Sequence, residues 1–227
     1  MPSNKAALPV DTEKPSETKK RILDTALRSF NERGVNATAV LKIAMALGMS
    51  PGNLTYHFKR KSDIVMALVL TLREKIEEAV SDIEHPLKPS PVIDHLELTL
   101  RTLWSYRFLL NSAVYVSQMD DELSDQLKFL KKTIVDMLAR NYAKVIENGE
   151  MRAPRQSDGV QLLADNTFGI WLQWLQAESI AHPVRDTPTD AGLYICLRHH
   201  YSLIDPYVSK GFSKSTWDEL DRRYANL

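Results

Sequence analysis

The sequence is poor in several features that mark common functional classes. Its 227 residues contain a single cysteine, Cys196, which excludes an internal disulfide framework and a zinc site built on paired thiolates. With only eight glycines, it has no glycine-rich loop of the kind that binds nucleotide phosphates. No apolar run reaches the roughly 18 residues of a membrane-spanning helix, and residues 1–15 lack a signal-peptide core. We therefore expect a cytoplasmic protein with no cofactor, metal site or membrane contact.

The net charge is zero, yet the charges are unevenly distributed along the chain. Residues 15–75 carry eleven lysines and arginines against five acidic residues, a net charge of +6. Residues 76–227 carry sixteen against twenty-two, a net charge of −6. A basic end joined to an acidic remainder is the layout expected of a protein that places one end on a phosphate backbone.

Apolar residues recur at helical spacing along most of the chain, so the sequence predicts an all-α fold. Residues 1–15, with three prolines and few large apolar groups, are expected to form a disordered tail. A small domain, the head, is predicted at 16–76 and a larger one, the body, at 77–227. In the body, helices are expected at 92–110, 112–119, 121–148, 158–180, 188–209 and 213–224.

The head has the pattern of three short helices followed by a long one. The first helix is capped by Ser16 and stopped by Gly34, and Thr38 is the expected N-cap of the second. The third begins near Ser50, and the fourth is predicted from about 62 to 83. Two short helices joined at an angle by a glycine-containing turn form a helix-turn-helix, whose second helix enters the major groove of DNA.

The third helix has the composition of a DNA-reading surface. Leu54 and Phe58 lie four residues apart and are predicted to point inward, which leaves the opposite face polar. Asparagine and threonine side chains suit base edges, whereas tyrosine, histidine and lysine donate hydrogen bonds to phosphate. The candidates are Asn53 and Thr55 for the bases, and Tyr56, His57 and Lys61 for the phosphates.

Four segments of the head occur in an order that is typical of one family. They are Thr18–Thr38 (TKKRILDTALRSFNERGVNAT), Ile43-Ala44, Gly48–Leu54 (GMSPGNL) and Tyr56-His57-Phe58. Together they resemble the DNA-binding domain of the TetR family of transcriptional repressors. The resemblance implies an all-helical homodimer that recognises double-stranded operator DNA through residues 50–57 and leaves the DNA when a small molecule enters the body. It also places Thr38, Pro51 and Gly52 among the residues expected at the DNA.

Two positions depart from the pattern of that family. Thr55 stands where related sequences usually carry tyrosine, so the operator preference is expected to differ. Arg60 stands where a small capping residue is usual, so the next helix is expected to start at Ser62. In the body, Leu103–Phe108 and Asp120–Leu123 resemble one subgroup of these repressors.

The body is richer in large apolar residues than dimerisation alone requires, so we expect a cavity for a small, hydrophobic effector. Its candidate lining residues are Trp104, Phe108, Tyr115, Met119, Met137, Phe168 and Trp171. The predicted helices 158–180 and 188–209 are apolar around nearly their whole circumference, which indicates contact with a second copy of the chain. The candidate interface residues are Trp174, Leu175, Leu193, Leu197, Tyr201 and Ile204.

An enzyme is the main alternative class, but the body offers little catalytic chemistry. His199 and His200 are adjacent and diverge by about 100° on a helix, so they are poor joint metal ligands. The acidic run 120–122 is better explained as the start of a helix. Another alternative is a DNA-binding protein that activates transcription or that has no effector. Of these classes, the sequence favours a ligand-responsive repressor that is not an enzyme.

Overall fold

The computed structural model describes residues 16–79 and 85–227. Within these two ranges the chain is helical and contains no strand, which confirms the predicted all-α class. The predicted tail and the predicted end of the fourth helix lie outside the described residues. The helices are α1 (Glu17–Arg33), α2 (Val40–Ala46), α3 (Pro51–His57), α4 (Lys61–Ala79), α5 (Pro89–Ser105), α6 (Arg107–Asn111), α7 (Ala113–Ser117), α8 (Asp121–Glu147), α9 (Gly159–Ala181), α10 (Asp190–Ile204) and α11 (Lys210–Arg223).

Helix α4 connects the head to the body. In the head, α1 packs against α2 and α4, and α2 packs against α3. In the body, α8 and α9 pack against each other, α9 also contacts α5, α6 and α10, and α4 lies against α5 and α8. One buried apolar core extends through both parts. Within the described ranges, no helix is long and apolar enough to cross a membrane.

The turn between α1 and α2 is held by side-chain and backbone hydrogen bonds. Gly34 ends α1 with a φ of 79°, a conformation that favours glycine, and its N–H donates to Phe30. The expected N-cap role of Thr38 is wrong: Ala39 precedes α2, and no side chain caps that helix. Thr38 is instead buried, and its hydroxyl donates to the Gly34 carbonyl at 2.8 Å. It therefore closes the turn rather than starting α2.

The start of α3 follows the prediction. Gly48 adopts a φ of 64° in the turn, Ser50 is the N-cap, and its hydroxyl oxygen accepts a hydrogen bond from the Asn53 backbone at 3.2 Å. Pro51 occupies the first turn, where its missing N–H costs no hydrogen bond. The predicted start of the next helix is one residue late, because α4 begins at Lys61.

Two predicted body helices are interrupted in the structure. The helix expected at 92–110 begins at Pro89 and breaks at Tyr106, which gives α5 and α6. The helix expected at 188–209 ends at Ile204 and continues as a single 3-10 turn, Asp205–Tyr207, that includes Pro206. Proline lacks the N–H that would continue the α-helical hydrogen bonding, which explains the second break.

Helices α9 and α10 approach each other closely near Glu178. This buried carboxylate accepts a hydrogen bond from the Thr189 backbone at 2.7 Å, just before α10 begins. Gly192 lies against the same carboxylate, so closely that a β-carbon there would overlap it. One turn further along α10, Cys196 is fully buried, and burial raises the pKa of its thiol.

Candidate nucleic-acid interface

Helix α3 presents a polar outer face on a firmly held backbone. Leu54 is fully buried and Phe58 nearly so, and together they fix the inner side of the helix. Asn53 and Thr55 are exposed, and Tyr56 is 85% exposed. Since this arrangement leaves hydrogen-bonding side chains facing outward in a row, α3 has the surface that a major-groove helix needs.

The hydroxyl group of Thr55 is partly engaged within the helix. It donates to the Pro51 carbonyl at 2.9 Å, so its hydrogen is not free to reach a base. The methyl group and the oxygen lone pairs stay available, and a methyl group is suited to contact with thymine. Beside it, Tyr56 and the half-buried His57 meet edge to face with 5.3 Å between ring centres.

Gly52 leaves open space at the start of α3. Apart from its chain neighbours and the backbone of α3 itself, no atom of the described residues lies within 4 Å of the position that a β-carbon would occupy. Its φ is not positive, so neither internal packing nor backbone conformation requires a glycine here. An external surface that approaches the backbone closely is the remaining physical reason for a residue this small.

Lys61 and Thr38 do not lie on the outer face as predicted. The Lys61 ammonium donates to the Val35 carbonyl at 2.8 Å and to the Thr38 carbonyl at 3.3 Å. It also lies 5.9 Å above the centre of the Tyr115 ring. The phosphate contact predicted for Lys61 and the DNA contact predicted for Thr38 are therefore corrected, because both side chains hold the α1–α2 turn.

Other cations of the head are better placed for phosphate. Lys42 on α2 and Lys59 after α3 are exposed, and neither side-chain ammonium group forms a hydrogen bond or ion pair with a described residue. Arg60 is also exposed, but it pairs with Asp63 at 3.2 Å and with Asp120 in the body at 3.3 Å. The sequence shows the cluster Lys59-Arg60-Lys61, yet only the structure distinguishes the free lysine from the two engaged residues.

A polar clamp joins the head to the body at the break between α5 and α6. The Asn31 side chain donates to the Ser105 carbonyl at 2.8 Å and accepts from the Phe108 backbone N–H at 3.1 Å. The rings of Phe30 and Phe108 pack next to it with 5.2 Å between centres. The end of α1 is therefore coupled directly to the first turn of α6.

The body contains a cavity of about 60 Å³ with a largely apolar wall. An open groove of about 390 Å³ lies elsewhere, between α7, α8 and α9. Of the predicted lining residues, Trp171 borders the cavity and Phe168 the groove. The cavity wall also holds polar residues that the search for aromatic side chains missed: His95, Thr99, Asn141, Tyr142, His200 and Tyr201.

The other five predicted lining residues border neither space, because they pack elsewhere. Trp104 is fully buried, with the Arg107 guanidinium 4.6 Å from its ring centre. Phe108 packs on Phe30, and Tyr115 lies beside Lys61. Met137 is part of the general core, and Met119 is partly buried and packs against it. The prediction for Trp104, Phe108, Tyr115, Met119 and Met137 is therefore corrected.

The predicted dimer residues are also misplaced. Each of the six is less than 9% exposed in the single chain and is thus committed to its own core: Trp174, Leu175, Leu193, Leu197, Tyr201 and Ile204. One row of exposed residues along each of α9 and α10 defines a different surface, which we call the outer stripe. It consists of Leu162, Asn166, Gly169, Gln173, Ala177 and Ile180 on α9, and Ala191, Ile195, His199 and Ser202 on α10.

A helix-turn-helix with a polar recognition helix, carried on a larger helical body, defines a DNA-binding regulator. Residues 22–68 match the family model described as bacterial regulatory proteins of the tetR family. Residues 72–215 match the model described as a bacterial transcriptional repressor of the TetR type. The chain belongs to the TetR family of transcriptional regulators, which is a family of regulators and not of enzymes.

Individual relatives agree with this assignment. The HTH-type transcriptional regulator UidR of Escherichia coli is 25% identical over 170 residues, which cover 72% of this chain and 84% of UidR. A TetR-family regulator from Marinobacter aquaeolei has a similar fold, with a TM-score of 0.78, 24% identity, and coverage of 91% and 98% of the two chains. AibR, solved with isovaleryl coenzyme A and operator DNA, matches with a TM-score of 0.54, 21% identity, and coverage of 71% and 86%.

Proposed function

We propose that the protein is a ligand-responsive repressor that acts in the cytoplasm and binds a near-palindromic operator as a homodimer. The observation that carries the proposal is the outer face of α3. There, Asn53, Thr55 and Tyr56 are exposed on a helix fixed by its Ser50 cap and by buried Leu54. In this proposal Asn53 reads a base, and Tyr56, His57 and Lys59 contact phosphates.

The body supplies the effector site in this proposal. The cavity is bordered by α5, and α5 packs against α4, the helix that continues into the head. A structural relative, AibR, was solved with both a small molecule and operator DNA. An effector can release DNA only if it binds one arrangement of the heads more tightly than the other. A cavity bordered by α5, which packs on the helix that carries the head, supports the structural part of that condition.

The outer stripe is the proposed dimer interface. Ile180 is 83% exposed and Ile195 54% exposed, although both are large apolar residues. Gly169 and Ala177 lie on the same face of α9 and have side chains small enough for a second helix to approach closely. Two copies of α9 and α10 would form a four-helix interface that sets the recognition helices about 34–36 Å apart.

DNA binding is tested with a site selected from a random DNA library. Anisotropy titrations then compare the selected site with a scrambled site at several salt concentrations. We expect Asn53→Ala to weaken binding to the selected site by about 1–3 kcal/mol and to change binding to the scrambled site little. Asn226 is exposed, so Asn226→Ala is a matched control that should leave the affinities for both DNA sites unchanged. Equal losses on both sites would contradict base reading by Asn53, and the absence of any salt-sensitive binding would contradict the whole proposal.

Sedimentation at micromolar concentration tests the dimer. We expect about twice the 25.8 kDa mass of one chain for the unaltered protein. Ile195→Arg places a charge in the outer stripe and should shift the species toward 25.8 kDa. Phe129→Arg alters an equally exposed apolar residue on α8, outside the stripe, and should leave the dimer intact. Dissociation by both variants or by neither would argue against this interface.

A further inference from the structure

The wall of the body cavity carries no charge at neutral pH. Its described lining residues include no lysine, arginine, aspartate or glutamate. It has two histidines, and burial lowers the pKa of both, to about 4 for His200. An ion that entered this cavity would lose its hydration without gaining an opposite charge. The wall therefore favours an uncharged molecule.

Two adjacent residues in this wall have buried polar atoms without a partner. His200 and Tyr201 are 4% and 3% exposed, and neither the His200 Nδ1 nor the Tyr201 hydroxyl forms a hydrogen bond with any described group. Their ring centres are 5.6 Å apart. Buried polar groups are normally paired, so these two atoms mark where the polar part of a ligand would be stabilised.

The wall hydroxyls of Tyr142 and Thr99 are already engaged. The Tyr142 hydroxyl is 2.6 Å from the Thr167 hydroxyl, and the Thr99 hydroxyl donates to the His95 carbonyl at 3.0 Å. The rest of the wall is mainly apolar. Trp171 forms part of it and stacks on His200 with 6.0 Å between ring centres.

We propose that this cavity binds a small, uncharged molecule with an apolar body and one hydroxyl group, held by a hydrogen bond to Tyr201 or His200. A hydroxyl group both donates and accepts, so it can pair with either the phenol oxygen or the imidazole nitrogen. The proposal rests on the effector site proposed above and adds the chemical class of the effector.

The cavity must widen to admit such a molecule. Its 60 Å³ is less than half of the about 150 Å³ known to hold benzene. Three wall residues, Leu87, Met151 and Val208, lie between helices, and widening there would displace the β-bridge between Met151 and Val208 and the hydrogen bond from the Leu87 N–H to Glu150. Val92 and Leu96 of α5 also border the cavity, so widening is transmitted to the helix that packs on α4.

Phenol, benzene and benzoate test the ligand class directly, because they share a ring and differ in the polar group. Calorimetric titration of the full-length protein is expected to give the highest affinity for phenol and a lower affinity for benzene. Benzoate should bind about 100-fold more weakly than phenol, since its charge finds no partner in the wall. Benzoate binding as tightly as phenol, or no phenol binding at millimolar concentration, would overturn the proposal.

Tyr201→Phe tests the hydrogen-bonding residue. The change removes one hydroxyl group and keeps the ring, so we expect phenol affinity to fall about three- to tenfold and benzene affinity to stay the same. Tyr207 lies in the 3-10 turn outside the wall, so Tyr207→Phe is the matched control and should change neither the phenol affinity nor the benzene affinity. Equal losses for phenol and benzene in Tyr201→Phe would show that the hydroxyl has no such role.

Two further measurements complete the test. Should Tyr201→Phe fail to fold, His200→Phe, which replaces one buried ring by another, provides the same comparison of phenol with benzene. Anisotropy titrations without phenol report DNA binding separately. If the protein binds its selected DNA site but shows no preference for phenol, only the proposed ligand class is contradicted. The proposed regulatory function is then unaffected.

Discussion

The substitution Lys61→Met tests whether Lys61 stabilises the fold or contacts DNA. The side chain keeps its length and loses its ammonium group, so the Val35 and Thr38 carbonyls lose the donor that they share. Leaving a buried acceptor unpaired costs about 1–3 kcal/mol. Lys61 is half-buried, so water replaces part of this loss, and we expect about 2 kcal/mol in the free energy of unfolding.

The expected loss is measurable by thermal unfolding at a fixed protein concentration, since dimerisation makes Tm depend on concentration. For a chain of this size, 2 kcal/mol corresponds to a decrease in Tm of about 4–8 °C. The dependence of DNA affinity on salt should keep its slope, because no phosphate contact is removed. Lys59→Met is the matched comparison: its Tm should not change, while its salt slope should decrease by about 1.

The opposite result would refute the structural role of Lys61. If Lys61→Met kept its Tm and reduced the salt slope by about 1, the ammonium would contact phosphate as the sequence predicts, and its bonds to the α1–α2 turn would contribute little. If Lys59→Met left the slope unchanged, Lys59 would not be the phosphate contact that its free, exposed position indicates.

Three other predictions follow from close packing, open space and burial. Gly52→Ala should keep or slightly raise Tm and weaken DNA binding in anisotropy titrations, because only an external surface fills the space beside it. Gly192→Ala should lower the free energy of unfolding by about 1–3 kcal/mol through overlap with Glu178, whereas Gly211→Ala should not. Burial lowers the pKa of His200 from 6.5 in the unfolded chain to about 4 in the folded protein, so the unfolded chain binds a proton first as the pH falls. The free energy of unfolding should therefore decrease between about pH 6.5 and 4, and it should decrease less in His200→Gln.

The sequence predicted the head well because its structure depends on local signals. The Ser50 cap, Pro51 in the first turn, glycine in the α2–α3 turn and inward Leu54 all act within a few residues of one another. The misplaced Lys61 shows the limit of such signals. Its partners, Val35 and Thr38, are 26 and 23 residues away, so the lysine is recognisable as structural only once α4 has packed against the α1–α2 turn.

The body was harder to predict because burial there depends on distant helices. Helix α9 packs against α5, α6, α8 and α10, so most of its bulky apolar residues belong to the core of one chain. The outward positions include Gly169 and Gln173, which a search for bulky apolar groups does not find. A cavity was predicted, but most of its lining residues were missed for a related reason: several of them, including His200 and Tyr201, are polar and lie within a largely apolar wall.

The burial of Cys196 makes the protein a convenient host for site-directed labels. It is the only thiol in the chain, and burial both shields it and keeps it protonated, so it reacts poorly with alkylating reagents. A cysteine introduced at an exposed position such as Lys59 would then be the one reactive site in each subunit. A pair of spin labels attached there would report the separation of the two recognition helices, and its change on addition of phenol, without a cysteine-free background.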